Sequence, residues 1–157
     1  MKNKIYKLFA ALLSALLLTA CGEDPELAQF KNSIDEFCTG ISEIDDSINS
    51  IDALSDDAVS ELLTDLDELN SLFQTFAQLD FPEEFDYLED LADESSEYMT
   101  EAVKSYHEAY DGTYDENMAE YARQNYSRAY KRIQIIISFL HGDEPVDDDL
   151  QIEYGSE

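Results

Sequence analysis

The chain has 157 residues, of which 37 are Asp or Glu and nine are Lys or Arg, giving a net charge of −28. A charge of that size repels phosphate, which sets nucleic acid aside as a partner, and it opposes lying flat on an anionic lipid surface. Apolar content of 44% argues against disorder, while five glycines, three prolines and the lack of alternating Val/Ile/Thr runs argue against a sheet.

Lys2, Lys4 and Lys7 form a basic start, followed by an apolar run over 8–18. That run is too short to cross a hydrocarbon core of ~30 Å as a helix, so it reads as a signal segment. It closes on Leu18-Thr19-Ala20-Cys21, which resembles the lipobox of bacterial lipoproteins: Leu, a small residue, Gly or Ala, then Cys. The resemblance implies that residues 1–20 are cleaved and that the Cys21 thiol is thioether-linked to diacylglycerol. Cys21 would then be the first mature residue, with 21–24 as a short lipidated tether on the outer face of the membrane. Cleavage takes out three lysines and no acid, so the net charge falls from −28 to −31. Gly22 follows Cys21, so nothing here argues for retention in an inner membrane. With Cys21 acylated, Cys38 has no partner for an intrachain disulfide, and it reads as a small, semi-buried apolar residue.

Four helices are predicted, at about 25–51, 56–79, 83–110 and 114–141. Asp24 and Pro25 suit the cap and first position of the first helix. Leu27, Phe30, Ile34, Phe37, Ile41, Ile44, Ile48 and Ile51 then recur at alternating spacings of three and four, a heptad seam. Gly40 beside it lets a neighbour come close or weakens the helix. Residues 52–57 break the pattern, with Ser55 as the expected N-cap and Asp56 and Asp57 in the first turn. The second helix carries Val59, Leu62, Leu66, Leu69, Phe73 and Phe76, widened by Leu63, Leu72 and Leu79 into a stripe that suits a bundle. Pro82 ends one helix and starts another, and Phe81 is expected to fold back on Phe85. The third helix repeats the spacing through Leu88, Ala92, Ser95, Met99, Ala102, Tyr106 and Ala109, and stops at Asp111-Gly112. Thr113 and Glu116 read as a capping box for the fourth, which carries Met118, Ala122, Asn125, Ala129, Ile133, Ile136, Ile137 and Leu140. Gly142 stops it, and 142–157 is an acidic tail expected to be disordered. Short connections favour antiparallel neighbours, so the predicted fold is all-α, an up-down-up-down four-helix bundle forming a single domain over 25–141.

No catalytic or metal constellation accompanies this pattern. The Glu-x-x-His pairs of di-iron bundles fail at both histidines, because Lys104 precedes His107 and Ser138 precedes His141 at that spacing. His107-Glu108 is followed by Asp111 where a zinc-protease helix needs histidine. Neither acidic turn has the alternating spacing of an EF-hand. No metal and no cofactor are expected, and the chain reads as a non-enzyme.

Two regions remain as candidate sites. The acidic turns holding Asp56, Asp57, Asp111 and Asp115 sit at one end of an up-down bundle, away from the tether, where they suit a basic protein or peptide. A tyrosine-rich cleft between the third and fourth helices (Tyr98, Tyr106, Tyr110, Tyr121, with Asn125 on the seam) is the alternative, for a small ligand. Arg123, Arg128, Lys131 and Arg132 on the fourth helix are expected to pair with carboxylates of neighbouring helices. In pattern, the whole chain resembles the small uncharacterised helical lipoproteins of Gram-positive bacteria. The stretch Leu79-Asp80-Phe81-Pro82-Glu83-Glu84-Phe85 carries that resemblance best. It implies a lipid-anchored helical domain and brings no activity with it. Monomer and oligomer both remain open.

Overall fold

The computed structural model describes residues 25–142. They form α1 (Pro25–Ser50), α2 (Ala58–Ala77), α3 (Glu89–Tyr110) and α4 (Glu116–Leu140), with a 3-10 turn, Asp86–Leu88, ahead of α3. The expected signal segment and lipobox, the tether with Cys21, and all of the acidic tail beyond Gly142 lie outside the described residues.

Cross-helix contacts give the chain directions. Phe30 of α1 meets Phe81 just beyond α2, whereas Phe37 meets Phe73 and Phe76, so α1 and α2 run antiparallel. Asn70 bonds Thr100 while Asp67 bonds His107, so α2 and α3 are antiparallel too. Glu94 pairs with Arg132 and Tyr98 lies under Arg128, which reverses α4 against α3. Tyr126 and Tyr130 of α4 reach Asp45 of α1 and close the ring. This is the up-down-up-down four-helix bundle that the heptad spacing predicts.

The apolar stripes face inward as expected except at Val59, which opens the stripe of α2 and is 42% exposed. Ile41, Leu69, Phe73, Leu88, Met99, Ile133 and Ile136 are essentially without solvent exposure. Each such side chain contributes about 1.5–3 kcal/mol by leaving water. Along α1, burial is uneven: Phe30, Ile34, Phe37 and Ile41 are buried, but Ile44, Ile48 and Ile51 are only half-buried. Gly40 does allow close approach, since a Cβ there would stand 2.9 Å from Cδ2 of Leu72. Between α3 and α4 the seam is small. Ala92, Ser95, Ala102, Ser105 and Ala109 face Ala119, Ala122, Asn125 and Ala129, and none exceeds 2% exposure. The Ser95 hydroxyl donates to the Ala129 carbonyl at 3.1 Å, so these two helices touch nearly backbone to backbone.

Three helix starts differ from expectation. α2 begins at Ala58, with Asp57 at the N-cap and no side-chain bond there; the Ser55 hydroxyl accepts the Asp57 N–H at 3.2 Å, one step early. α4 is capped by Asp115 rather than Thr113, because the Asp115 carboxylate takes the Asn117 and Met118 amides at 2.9 and 3.2 Å. α3 starts at Glu89 instead of 83. Phe81 and Phe85 both lie on the ring of Phe30, at 4.9 and 6.0 Å, rather than stapling to each other. That packing routes the chain through a turn closed by the Phe85 N–H on the Pro82 carbonyl at 2.7 Å, then the 3-10 turn. Gly112 and Gly142 end α3 and α4 at φ of 84° and 77°, the left-handed geometry glycine permits.

Candidate functional site

Two polar features stand out once the apolar stripes are accounted for. The first joins α1 to α4. Tyr126 and Tyr130, one turn apart, stack with ring centroids 4.7 Å apart. Both hydroxyls donate to the same Asp45 oxygen, at 3.4 Å from Tyr126 and 3.1 Å from Tyr130, and the Tyr130 ring rests 5.6 Å from Phe73 of α2. Burial pushes the Asp45 carboxyl above its ordinary value of 3.8; the two hydroxyls pull it back in part, and neighbouring Asp46 adds to the rise. Burial likewise pushes both phenols up, reinforced by Asp45. The group ties the first helix to the last.

The second feature is an open cleft of about 420 Å³ where the C-terminal end of α1 leaves α2. Ser47, Ser50 and Ile51 line it from α1, and Asp57, Ser60, Glu61, Thr64 and Asp65 from the start of α2. It lies where the α1 seam is only half-buried. Asp65 itself is partly buried, and one of its oxygens is closed off from solvent, and so from the cleft, without a hydrogen-bond partner among the described residues. Leu54 stands 93% exposed on the α1–α2 turn.

The sequence-predicted residues distribute as follows. Asp56 and Asp57 are exposed on the α1–α2 turn, and Asp57 lines the cleft. Asp111 is exposed at the end of α3, whereas Asp115 is engaged in capping α4. Both turns lie at the same end of the bundle, as the topology requires. Tyr106 and Tyr110 lie close enough to influence each other, with Tyr114 and Arg123 nearby, whereas Tyr98 turns elsewhere. Tyr98 lies beneath the Arg128 and Arg132 guanidiniums, at 5.6 and 4.4 Å. Tyr110 packs on Tyr114 at 5.3 Å, Tyr106 packs against the core, and Tyr121 is 45% exposed. Asn125 is buried and donates to the Tyr121 carbonyl of its own helix at 3.1 Å. Most of the buried residues of α3 and α4 along this seam are alanines and serines, with Met99 and Asn125 among them.

The basic side chains also divide. Arg132 pairs across to Glu94 at 2.6 Å, as expected. Arg123 pairs instead within α4, with Glu120, and that contact lowers the Glu120 carboxyl and raises the guanidinium. Arg128 lies over the ring of Tyr98. His107 of α3 meets Asp67 of α2 at 2.9 Å. The Cys38 thiol is buried and pushed up to about 11, first by burial and then by Asp35, which keeps it protonated and unreactive at neutral pH.

Sequence reasoning missed both Asp45 and Asp65. The signal for Asp45 was available: an acid directly after a seam isoleucine, and two tyrosines four apart on the partner helix. Asp65 carried no such signal, because it stands among many acids of similar spacing. Among the described residues no helix is long and apolar enough to cross a membrane, and no group of three His, Cys, Asp or Glu side chains is arranged to hold a metal ion. Comparison with protein-family models, curated proteins and solved structures finds no match.

Proposed function

We propose that this is a lipid-anchored, extracytoplasmic helical protein with a non-enzymatic role: holding a cationic protein or peptide at the outer face of a bacterial membrane. The observation that carries the reading is how few of the carboxylates have a counter-charge. Basic side chains of α3 and α4 engage acids or aromatic rings, as Lys104, His107, Arg123, Arg128 and Arg132 do. Asp56, Asp57, Glu61 and Asp65 at the α1–α2 end make no ion pair among the described residues, and neither do Asp80, Glu83, Glu84, Asp86, Glu89 and Asp90 at the other end. Carboxylates gathered without counter-charge attract cations and speed their arrival, more so at low salt. The lipobox-like Leu18-Thr19-Ala20-Cys21 supports the anchor. An anchor at Cys21 would hold the Pro82 turn toward the bilayer and present the α1–α2 and α3–α4 turns outward.

The test has two arms. Cys21→Ala moves the protein from the membrane to the soluble fraction with its helical circular dichroism unchanged; retention at the membrane removes the anchor from the reading. Charge reversal at Asp56, Asp57, Asp111 and Asp115 lowers recovery of cationic partners in a pull-down, and unchanged recovery contradicts capture at this end.

A further inference from the structure

The first helix is held by two different means along its length. Its first half is seated by rings: Phe30 meets Phe81 and Phe85, and Phe37 meets Phe73 and Phe76. Its buried residues end at Ile41. Beyond that point Ile44 and Ile48 are only half-buried, and the last turn has no basic residue to offset the helix dipole. Gly40, with its low helix propensity, falls at the boundary. The second half, residues 42–50, is tied to α4 by the Asp45 carboxylate, one oxygen of which takes the Tyr130 hydroxyl at 3.1 Å and the Tyr126 hydroxyl at 3.4 Å.

Every element of the bundle contributes to the surroundings of that carboxylate. From α4 come the two phenols, from α2 the uncharged ring of Phe73 against Tyr130, and from α3 Tyr106, near Tyr126. On α1 itself the neighbour is Asp46, a like charge. None of these groups supplies a cation. Burial therefore opposes the ionised carboxylate, Asp46 adds to the opposition, and the two phenols offset it only in part. The same burial pushes both phenols up, so they stay protonated donors at neutral pH.

The geometry points to a proton-operated latch: the distal arm of α1, residues 42–50, is seated firmly on α4 when Asp45 carries a proton and loosens when Asp45 is ionised. Burial raises the carboxyl in the seated arm and not in the loosened one. Ionisation therefore favours loosening above the raised value, and that pressure is lost as pH falls toward 3.8. The rings keep the first half in place, so the opening is local. Ser47 and Ser50 of the arm stand on one wall of the cleft of about 420 Å³, so the latch governs how wide that cleft is. None of this depends on capture of a cation; the arm loosens whether or not the cleft holds anything.

The test is hydrogen exchange of the full-length protein in non-ionic detergent, corrected for intrinsic rates and followed in steps from about pH 7.5 to about pH 5, the side on which a raised carboxyl titrates. Residues 42–50 exchange faster than residues 30–37 throughout, and their protection rises about tenfold on acidification, the effect of one unit between the seated and loosened carboxyl values. Asp45→Asn shows the higher protection already at neutral pH and loses the rise. Asp46→Asn keeps most of it, because the latch carboxyl is still present. Tyr130→Phe removes a donor that pulls Asp45 down, so the midpoint of the rise moves to higher pH; this readout stands even if Asp45→Asn does not fold. Equal protection of the two halves of α1 would overturn the separate arm. A rise that survives Asp45→Asn, or that Asp46→Asn abolishes just as fully, would overturn the latch and assign the effect to diffuse repulsion. A midpoint unmoved in Tyr130→Phe would contradict the phenol clamp.

Discussion

The α3–α4 pair and the α1–α2 pair carry the same alternating three-four spacing, yet they close very differently. Between α3 and α4 the seam residues are Ala, Ser and Asn, and a serine hydroxyl of one helix reaches a main-chain carbonyl of the other at 3.1 Å. Between α1 and α2 the contact is made by rings, with Phe37 at 4.2 Å from Phe76 and 5.4 Å from Phe73. Beyond those rings Ile44, Ile48 and Ile51 are only half-buried, and the pair ends in an open acidic cleft. Periodicity decides which face of a helix turns inward. The volume on that face decides how near the partner comes and whether the end of the interface fills, because packed interiors leave no slack between the two.

The strongest way to break the comparison is to enlarge the closed seam. Ala102→Leu or Ala129→Leu forces a branched side chain where exposure is now 0%, and each is expected to cost about 3 kcal/mol in urea unfolding. Ile51→Ala at the open end is expected to cost less than about 1 kcal/mol, since that side chain is already half in water. Equal costs at the two places would remove the distinction.

Next in size is the bond that closes the ring of helices. Tyr130→Phe deletes the nearer of two donors to a largely buried carboxylate, with an expected loss of about 1–3 kcal/mol by thermal or urea unfolding. Asp45→Asn acts in the opposite direction. Because burial raises the Asp45 carboxyl in the folded state, its charge opposes folding above that raised value, and the penalty is relieved as pH falls toward 3.8. The variant is therefore expected to unfold a few degrees higher than the parent at neutral pH, and to lack this residue's share of the gain on mild acidification. Asp46→Asn, which removes an exposed charge next door, controls for general relief of repulsion and should raise the midpoint less. If Asp45→Asn were less stable at neutral pH, the hydrogen bonds would outweigh the burial of charge.

The smallest effect is expected at Gly40. Alanine there gains about 1 kcal/mol of helix propensity, and its Cβ must displace only the tip of Leu72, 2.9 Å away. The net change in stability is expected to stay below about 1 kcal/mol, and a larger loss would show that Leu72 is locked in place.

Much of the fold was legible in the residues. Alternating spacings identified all four helices and, Val59 apart, their buried faces. Helix starts were less legible wherever tertiary contacts chose among adequate local signals. Thr113 and Asp115 both suit a cap, and the carboxylate that reaches two amides wins. Pro82 favours a helix start, but the pull of Phe81 and Phe85 onto Phe30 delays it. The candidate site was legible only in part. Asp56 and Asp57 could be named because a break in the seam exposes them. Asp65 could not, because its distinction comes from one withdrawn oxygen and the cleft beside it, and both depend on how α1 and α2 diverge. The directions of the tyrosines were not legible either: helical spacing places them beside the same seam, but Tyr98 turns toward the α4 arginines while Tyr126 and Tyr130 turn toward α1.

The most direct test of a bundle with one closed pair and one open acidic end is native-state hydrogen exchange, residue by residue. Amides around Ala102 and Ala129 should exchange only through global unfolding, whereas those of residues 44–51 and the first turns of α2 should exchange through local opening of much lower free energy. Adding a lysine-rich peptide should slow exchange at the second group alone. Uniform protection across all four helices, or slowing centred on α3 and α4, would contradict the division of the molecule on which the proposed function rests.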